Sequence, residues 1–188
     1  MASGSGTNAE NIIRYFSNKK TAKVKLVLSN RREALVMKRA EALDVKALFF
    51  DYGDFYTSGK VLDILIEESI DFIVLAGFLW LVPENILERF KGRIVNIHPA
   101  LLPRYGGKGM YGDRVHKAVL ENNDPESGIT IHYVNKNYDE GDIVFQVRCR
   151  VVKGDTIESL AGRVHQLEYE YYPGIIEKLI INLKKTAE

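Results

Sequence analysis

The chain has 188 residues, 46% of them hydrophobic and 27% charged, the profile of an ordinary globular protein whose core needs no metal or disulfide staples. Lysine and arginine number 26 against 25 acids, a formal net charge of +1, which argues against a broad electrostatic grip on nucleic acid. The single cysteine, Cys149, excludes an internal disulfide, and no stretch is long and apolar enough to span a bilayer. The start also lacks a secretory apolar region, so a cytoplasmic protein is expected.

The opening Ser3-Gly4-Ser5-Gly6-Thr7-Asn8 precedes helical spacing over 9–16. Short β-rich runs then alternate with helical patterns: strand 24–28, helix 34–43, strand 45–50, helix 59–69 and strand 72–76. A short helix starting at Pro83 and a strand over 93–97 follow. The run 72–76 is apolar throughout, as in a strand buried on both faces of a parallel sheet. Asp113 can cap a helix running to Asn122, after which strands over 129–134 and 143–152 flank a polar stretch and suggest an antiparallel hairpin. Cys149 falls on the second of these and reads as a structural thiol. Asp155 and Glu158 have capping-box spacing at the head of a long helix, which Pro173 should end or kink. The pattern predicts an α/β fold: a doubly wound, mostly parallel sheet with helices on both faces and an antiparallel hairpin near the C-terminal part. One domain over 1–188 is expected, with ligands at the carboxyl ends of the strands.

Three places carry chemistry. Gly6, Thr7 and Asn8 stand where a helix begins, so backbone N–H groups and the positive helix end can hold a phosphate. An unliganded glycine turn explains them equally well. Asn96 and His98 share one face of a strand end, where two donors can hold an oxygen that becomes an oxyanion. Taken alone, His98 reads more plainly as a hydrogen-bonded strand-end histidine. Asp139 lies in the polar turn of the hairpin, where an acid usually caps backbone N–H groups. Against His98, it would instead favour the imidazolium. His116 and His165 fall on helices and His132 on a strand, without metal-site spacing, so no metal is expected. The tyrosines at 169, 171 and 172 read as a helix face packed on the sheet. A glycine turn that holds phosphate normally joins a strand to a helix. No β-rich run stands before Ser3, so a first strand is expected ahead of Ala2, with Met1 its last part.

In order along the chain, seven segments resemble the folate-dependent formyltransferase family. They are Ala2-Ser3-Gly4-Ser5-Gly6-Thr7-Asn8, Val27-Leu28-Ser29-Asn30, Val74-Leu75-Ala76-Gly77-Phe78 and Asn96-Ile97-His98-Pro99-Ala100-Leu101-Leu102-Pro103, then Gly128-Ile129-Thr130-Ile131-His132-Tyr133-Val134, Asp139-Glu140-Gly141 and Arg163-Val164-His165-Gln166-Leu167-Glu168. Any one is weak, but together they are specific. The resemblance implies formyl transfer from the co-substrate 10-formyltetrahydrofolate to the amine of 5'-phosphoribosylglycinamide in purine synthesis. It implies a catalytic set of Asn96, His98 and Asp139, with Asp139 keeping His98 protonated. Gly6, Thr7, Asn8 and Glu168 would bind the substrate. Leu79, Trp80, Leu81 and Val82, with Asn96 and the backbone over 134–139, would line the folate site. It also implies a nucleotide-binding-like lobe over about 1–98 and a folate and catalytic lobe over about 99–188. Asp54 stands where relatives have an arginine near the folate tail, and the glycine-rich stretch 104–114 reads as a mobile loop beside the active site. Partners would be small molecules, with no nucleic acid and no membrane; a homodimer is left open. Larger family members carry RNA-binding or regulatory domains for which 188 residues leave no room. Another folate-dependent formyltransferase or a formyltetrahydrofolate hydrolase remains an alternative, as does, from another class, a non-catalytic nucleotide-binding module.

Overall fold

The computed structural model describes the backbone of residues 1–187 and the side chains of residues 1–185. The chain runs α1 (Thr7–Phe16), β1 (Leu26–Ser29), α2 (Leu35–Glu41), β2 (Lys46–Phe49), α3 (Tyr52–Tyr56), α4 (Lys60–Glu67) and β3 (Ile73–Leu75). It continues through α5 (Glu84–Arg89), β4 (Ile94–His98), α6 (Asp113–Glu121), β5 (Glu126–Tyr133), β6 (Ile143–Arg150) and α7 (Ile157–Ala187). β1 and β2 pair in parallel, as do β3 and β4, while β5 pairs antiparallel with β4 and β6 antiparallel with β5. β4 and β5 thus pair across the expected lobe boundary.

Helices cover both faces. Val95 and Ile97 of β4 meet α1, α6 and α7 through Ile12, Val119 and Val164, whereas Ile94 packs with Val61 and Ile86 of α4 and α5. Between β1 and β3 lie residues 1–3. Ala2 N donates to Leu28 O at 3.1 Å, Ser3 N to Gly77 O at 3.0 Å, and Ala76 N to Met1 O at 3.0 Å. This segment stitches the two sheets together.

Three expectations at helix ends are corrected. Gly112, not Asp113, occupies the N-cap of α6, and Asp113 is its first residue. The reciprocal bonds at the start of α7 join Thr156 and Ser159, at 3.0 and 3.2 Å. Asp155 is drawn off to Arg163, Ser159 and the Val152 N–H, so Glu158 has no box to complete with it. Nor does Pro173 end α7, which continues to Ala187. A proline removes the N–H that would bond the carbonyl four residues back, and here that carbonyl, on Tyr169, accepts Asn11 Nδ2 at 2.9 Å. No helix among the described residues is long and apolar enough to cross a membrane.

Tyr172 anchors α7 on the sheet. Its ring is fully buried and its hydroxyl donates to Leu75 O at 2.8 Å, with Val95 O at 3.4 Å. Tyr172→Phe keeps the ring and loses the bond, so it should cost about 1 kcal/mol and lower Tm by roughly 2–4 °C. Thermal unfolding followed by circular dichroism checks this, and an unchanged Tm would show that the hydroxyl contributes nothing.

Candidate active site

The pairing of β4 with β5 sets Asn96 opposite His132 and His98 opposite Thr130. Alternation turns these four side chains to one face, away from Val95, Ile97, Ile129 and Ile131 in the core. Thr130 Oγ1 donates to Ala100 O at 2.6 Å and accepts from Leu102 N at 3.0 Å and Gln146 Nε2 at 2.8 Å. These bonds fold the chain after Pro99 back over the strand ends.

Asp139 arrives from the turn between β5 and β6. A Cβ on Gly141 would lie 1.7 Å from Tyr133 O, so only glycine lets this turn close. Asp139 Oδ2 accepts from Gly107 N at 3.0 Å and lies 3.5 Å from His98 Nδ1. Oδ1 is 3.5 Å from Asn96 Nδ2 and 3.6 Å from His132 Nε2. The three side chains expected to act together therefore meet. Burial alone would raise the Asp139 pKa, but His132, His98 and the Gly107 N–H outweigh it and hold the carboxyl below its ordinary range.

Ring protons follow from partners that can only accept. His98 Nε2 is 2.7 Å from Tyr105 O, and His132 Nδ1 is 2.8 Å from Tyr133 O, so these nitrogens carry hydrogen. His132 Nε2 lies 3.1 Å from Asn96 Nδ2. A proton added to His98 must go to Nδ1, facing Asp139. Yet burial pushes the His98 imidazole down, and Asp139 and the Tyr105 carbonyl restore it only in part, with His132 acting alongside burial. Asp139 thus opposes the effect of burial on His98.

His132 was not singled out from the sequence as a site residue. Its signal was the strand over 129–134, whose histidine joins Asn96 only once the antiparallel register is known. The stretch 104–114 packs on the site directly: the Tyr105 carbonyl meets His98, the Gly107 N–H meets Asp139, and Arg104 and the Tyr105 hydroxyl both hold Asp124.

Near the chain's start, α1 begins from Gly6 with no side-chain cap, leaving first-turn N–H groups for an anion. Gly6 has φ +76°, and a Cβ there would meet Val36 at 2.4 Å. Its glycine is thus fixed by packing as much as by any ligand. Asn8 Nδ2 donates to Glu168 Oε2 at 2.8 Å, while Asn8 Oδ1 is buried with no hydrogen-bond partner. Ser3 Oγ donates to Asn30 Oδ1 at 2.7 Å and accepts from Leu79 N at 3.1 Å, tying the glycine turn to the segment expected to line the folate site. In that segment Leu81 O accepts from the Tyr56 hydroxyl at 2.7 Å, Trp80 packs among Phe50, Phe55 and Phe78, and Val82 is buried in the core. Asp54 caps α3 with Asp51 and pairs with Lys60 at 3.0 Å.

Burial pushes the Glu168 carboxyl up to about 7, with Asn8 opposing it. A carboxyl raised above its ordinary 4.5 lends stability that is complete below about pH 4.5 and lost as pH climbs through about 7, roughly 3 kcal/mol in all. Glu168→Gln should therefore gain stability relative to the parent as pH rises from 4.5 to 7. Urea unfolding of both proteins at several pH values measures the difference, and parallel curves would place the Glu168 pKa near its ordinary value.

Residues 1–176 match the family model described as formyl transferase. The phosphoribosylglycinamide formyltransferase of Bacillus subtilis is 31% identical over 185 residues, covering 96% of this chain and 92% of its own. The chloroplastic phosphoribosylglycinamide formyltransferase of Arabidopsis thaliana is 39% identical over 94% of this chain, which spans 62% of that relative's length. The crystal structure of glycinamide ribonucleotide transformylase 1 from Geobacillus kaustophilus superposes with a TM-score of 0.86 at 35% identity, covering 95% of each chain. On a match that runs from the glycine turn through both strands of the Asn96 face to α7, the chain belongs to the formyl transferase family.

Proposed function

We propose that this chain transfers the formyl group of 10-formyltetrahydrofolate to the amine of 5'-phosphoribosylglycinamide, a one-carbon transfer of purine biosynthesis. The observation that carries the reading is the convergence of Asn96, His98 and His132 on the buried Asp139. The substrate phosphate would sit on the Gly6-Thr7-Asn8 turn. The acceptor Asn8 Oδ1 and the carboxyl of Glu168 offer a partner for each kind of hydrogen-bonding group on the rest of the ribonucleotide. The formyl folate would lie between Leu79-Trp80-Leu81 and the backbone over 134–139, with Asn96 at its reactive end. Val82 supports this wall from beneath.

The amine attacks the formyl carbon, a C–N bond forms, and the carbonyl oxygen becomes an oxyanion. Asn96 Nδ2 has two hydrogens; with one turned to His132, the other, which lies toward Asp139 Oδ1 at 3.5 Å, would turn to that oxygen. His98 Nε2–H is the second donor once the Tyr105 carbonyl gives way. The attacking nitrogen loses a proton, the bond from the formyl carbon to folate N10 breaks, and N10 takes a proton. His98 can relay it, since Asp139 stabilises the transient charge at Nδ1. The reading includes a cytoplasmic setting, which suits a lone cysteine, half-buried in β6 with its thiol pushed up by burial.

A folate-coupled assay offering glycinamide ribonucleotide, water and sugar nucleotides as acceptors tests the assignment. Turnover should be confined to glycinamide ribonucleotide; turnover with water alone would make the chain a hydrolase. His98→Ala should cost at least about a hundredfold in turnover with little change in the affinity for either ligand by calorimetry. Near-normal turnover at saturating formyl donor would remove His98 from the reaction.

A further inference from the structure

His98 lies between two partners that compete for its hydrogen. Tyr105 O is 2.7 Å from Nε2, and Asp139 Oδ2 is 3.5 Å from Nδ1. Both partners accept, and a neutral imidazole has one hydrogen to give. A carboxylate draws a hydrogen more strongly than a carbonyl does. The Nε2–H form is therefore favoured while the Tyr105 carbonyl keeps its shorter approach.

That carbonyl does not stand where a relaxed chain would put it. Tyr105 has φ +58°, a left-handed conformation that a bulky residue keeps when its surroundings impose it. The next residue gives the loop room to pass close to the site. A Cβ on Gly106 would lie 2.6 Å from Leu102 Cδ2 and 3.2 Å from Asp139 Cβ. The restraint sits at the far end of the Tyr105 side chain. Its ring packs against the core, and its hydroxyl donates to Asp124 Oδ2 at 2.6 Å. Asp124, in the turn between α6 and β5, is itself fixed. Its Oδ1 accepts from Arg104 Nη2 at 2.8 Å and from Asn122 Nδ2 at 2.9 Å. Burial alone would raise this carboxyl, but the Tyr105 hydroxyl, Arg104 and Asn122 hold it below its ordinary range.

We propose that Asp124 is a positioning residue for His98. By anchoring the Tyr105 hydroxyl it holds the Tyr105 main chain in the left-handed turn, and the carbonyl so aimed sets which His98 nitrogen carries the hydrogen. Two carboxyl groups thus govern one imidazole from opposite sides. Asp139 faces Nδ1 directly, and Asp124 reaches Nε2 through a strained residue. Without the anchor, Tyr105 relaxes toward negative φ, its carbonyl leaves Nε2, and the hydrogen passes to Nδ1 beside Asp139. Nε2 then presents a lone pair where an oxyanion needs a donor. That last consequence rests on the formyl-transfer reading; the tautomer of the resting ring does not.

Long-range proton–nitrogen correlation spectra of the isotope-labelled full chain read the tautomer at about pH 8, where an imidazole is neutral. The His98 signals are those lost in His98→Ala. The parent should show the Nε2–H pattern, and Asp124→Ala and Tyr105→Phe the Nδ1–H pattern. Tyr105→Phe keeps the ring on the core and loses the hydroxyl alone, so it reads the anchor even where Asp124→Ala unfolds. With glycinamide ribonucleotide and formyl folate, both variants should lose on the order of tenfold in turnover, with each KM within about twofold of the parent. An Nδ1–H pattern in the parent, or an Nε2–H pattern kept in Tyr105→Phe, would overturn the proposal. A tautomer that switches while turnover stays normal would support the positioning and remove His98 from the reaction instead.

Discussion

Asp139 keeps only 10% of its side chain in contact with solvent, and a carboxylate in that position must be surrounded by donors or give up its charge. Its polar neighbours come from three separate pieces of chain. β4 brings His98 and Asn96, β5 brings His132, and the loop before α6 brings the Gly107 N–H. Each of these has its own requirement in turn. The β5–β6 turn closes only because residue 141 is glycine, and the loop after Pro99 stays down through Thr130 and Gln146. The polar face of β4 and β5 is therefore assembled around one carboxyl group, and the opposite face of the same strands is ordinary apolar core.

The remote end of the cleft depends on α7. Tyr172 joins this helix to β3 and β4, Tyr169 O receives Asn11, and Glu177 gathers Tyr15, Thr21 and Lys19. These contacts hold α1 against α7 and so set Asn8 beside Glu168. Burial there leaves the acid short of donors, the opposite of Asp139, and the two carboxyls move in opposite directions from their ordinary values.

The alternation of apolar runs and helical spacing made the α/β architecture legible, because buried parallel strands such as β3 and amphipathic helices such as α4 leave opposite periodicities. Asn96 and His98 were legible as a pair because two residues apart on a strand means one face. The meeting of Asp139 with His98 was not, since it depends on a turn that crosses β4 only after β5 has paired there. The resemblance supplied that meeting ahead of the geometry. His132 escaped for the same reason: its partner is set by cross-strand register, which no local pattern encodes. Helix ends failed where several polar residues competed for the same role. Asp155, Thr156, Glu158 and Ser159 can all cap, and Arg163, eight residues on, decides which of them does. The five-residue α3 lacks the length to show a period at all, though its Asp51/Asp54 capping box is plain in retrospect.

Burial and Asp139 pull His98 in opposite directions, and the useful property is that neither wins outright. A histidine held permanently as imidazolium could donate to an oxyanion but could not take a proton from the attacking amine. One left neutral with no acid beside it could take the proton only at the full cost of burying a charge. Here burial keeps the resting ring below its ordinary pKa while Asp139 waits 3.5 Å from Nδ1. Burial and Asp139 thus act on the ring in opposite directions, with burial the larger effect. The Tyr105 carbonyl fits the same scheme. It holds the hydrogen of Nε2 at 2.7 Å, so the ring is already turned with that donor outward and Nδ1 toward Asp139. An incoming oxygen that displaces this carbonyl inherits an oriented donor and need not reorder the imidazole.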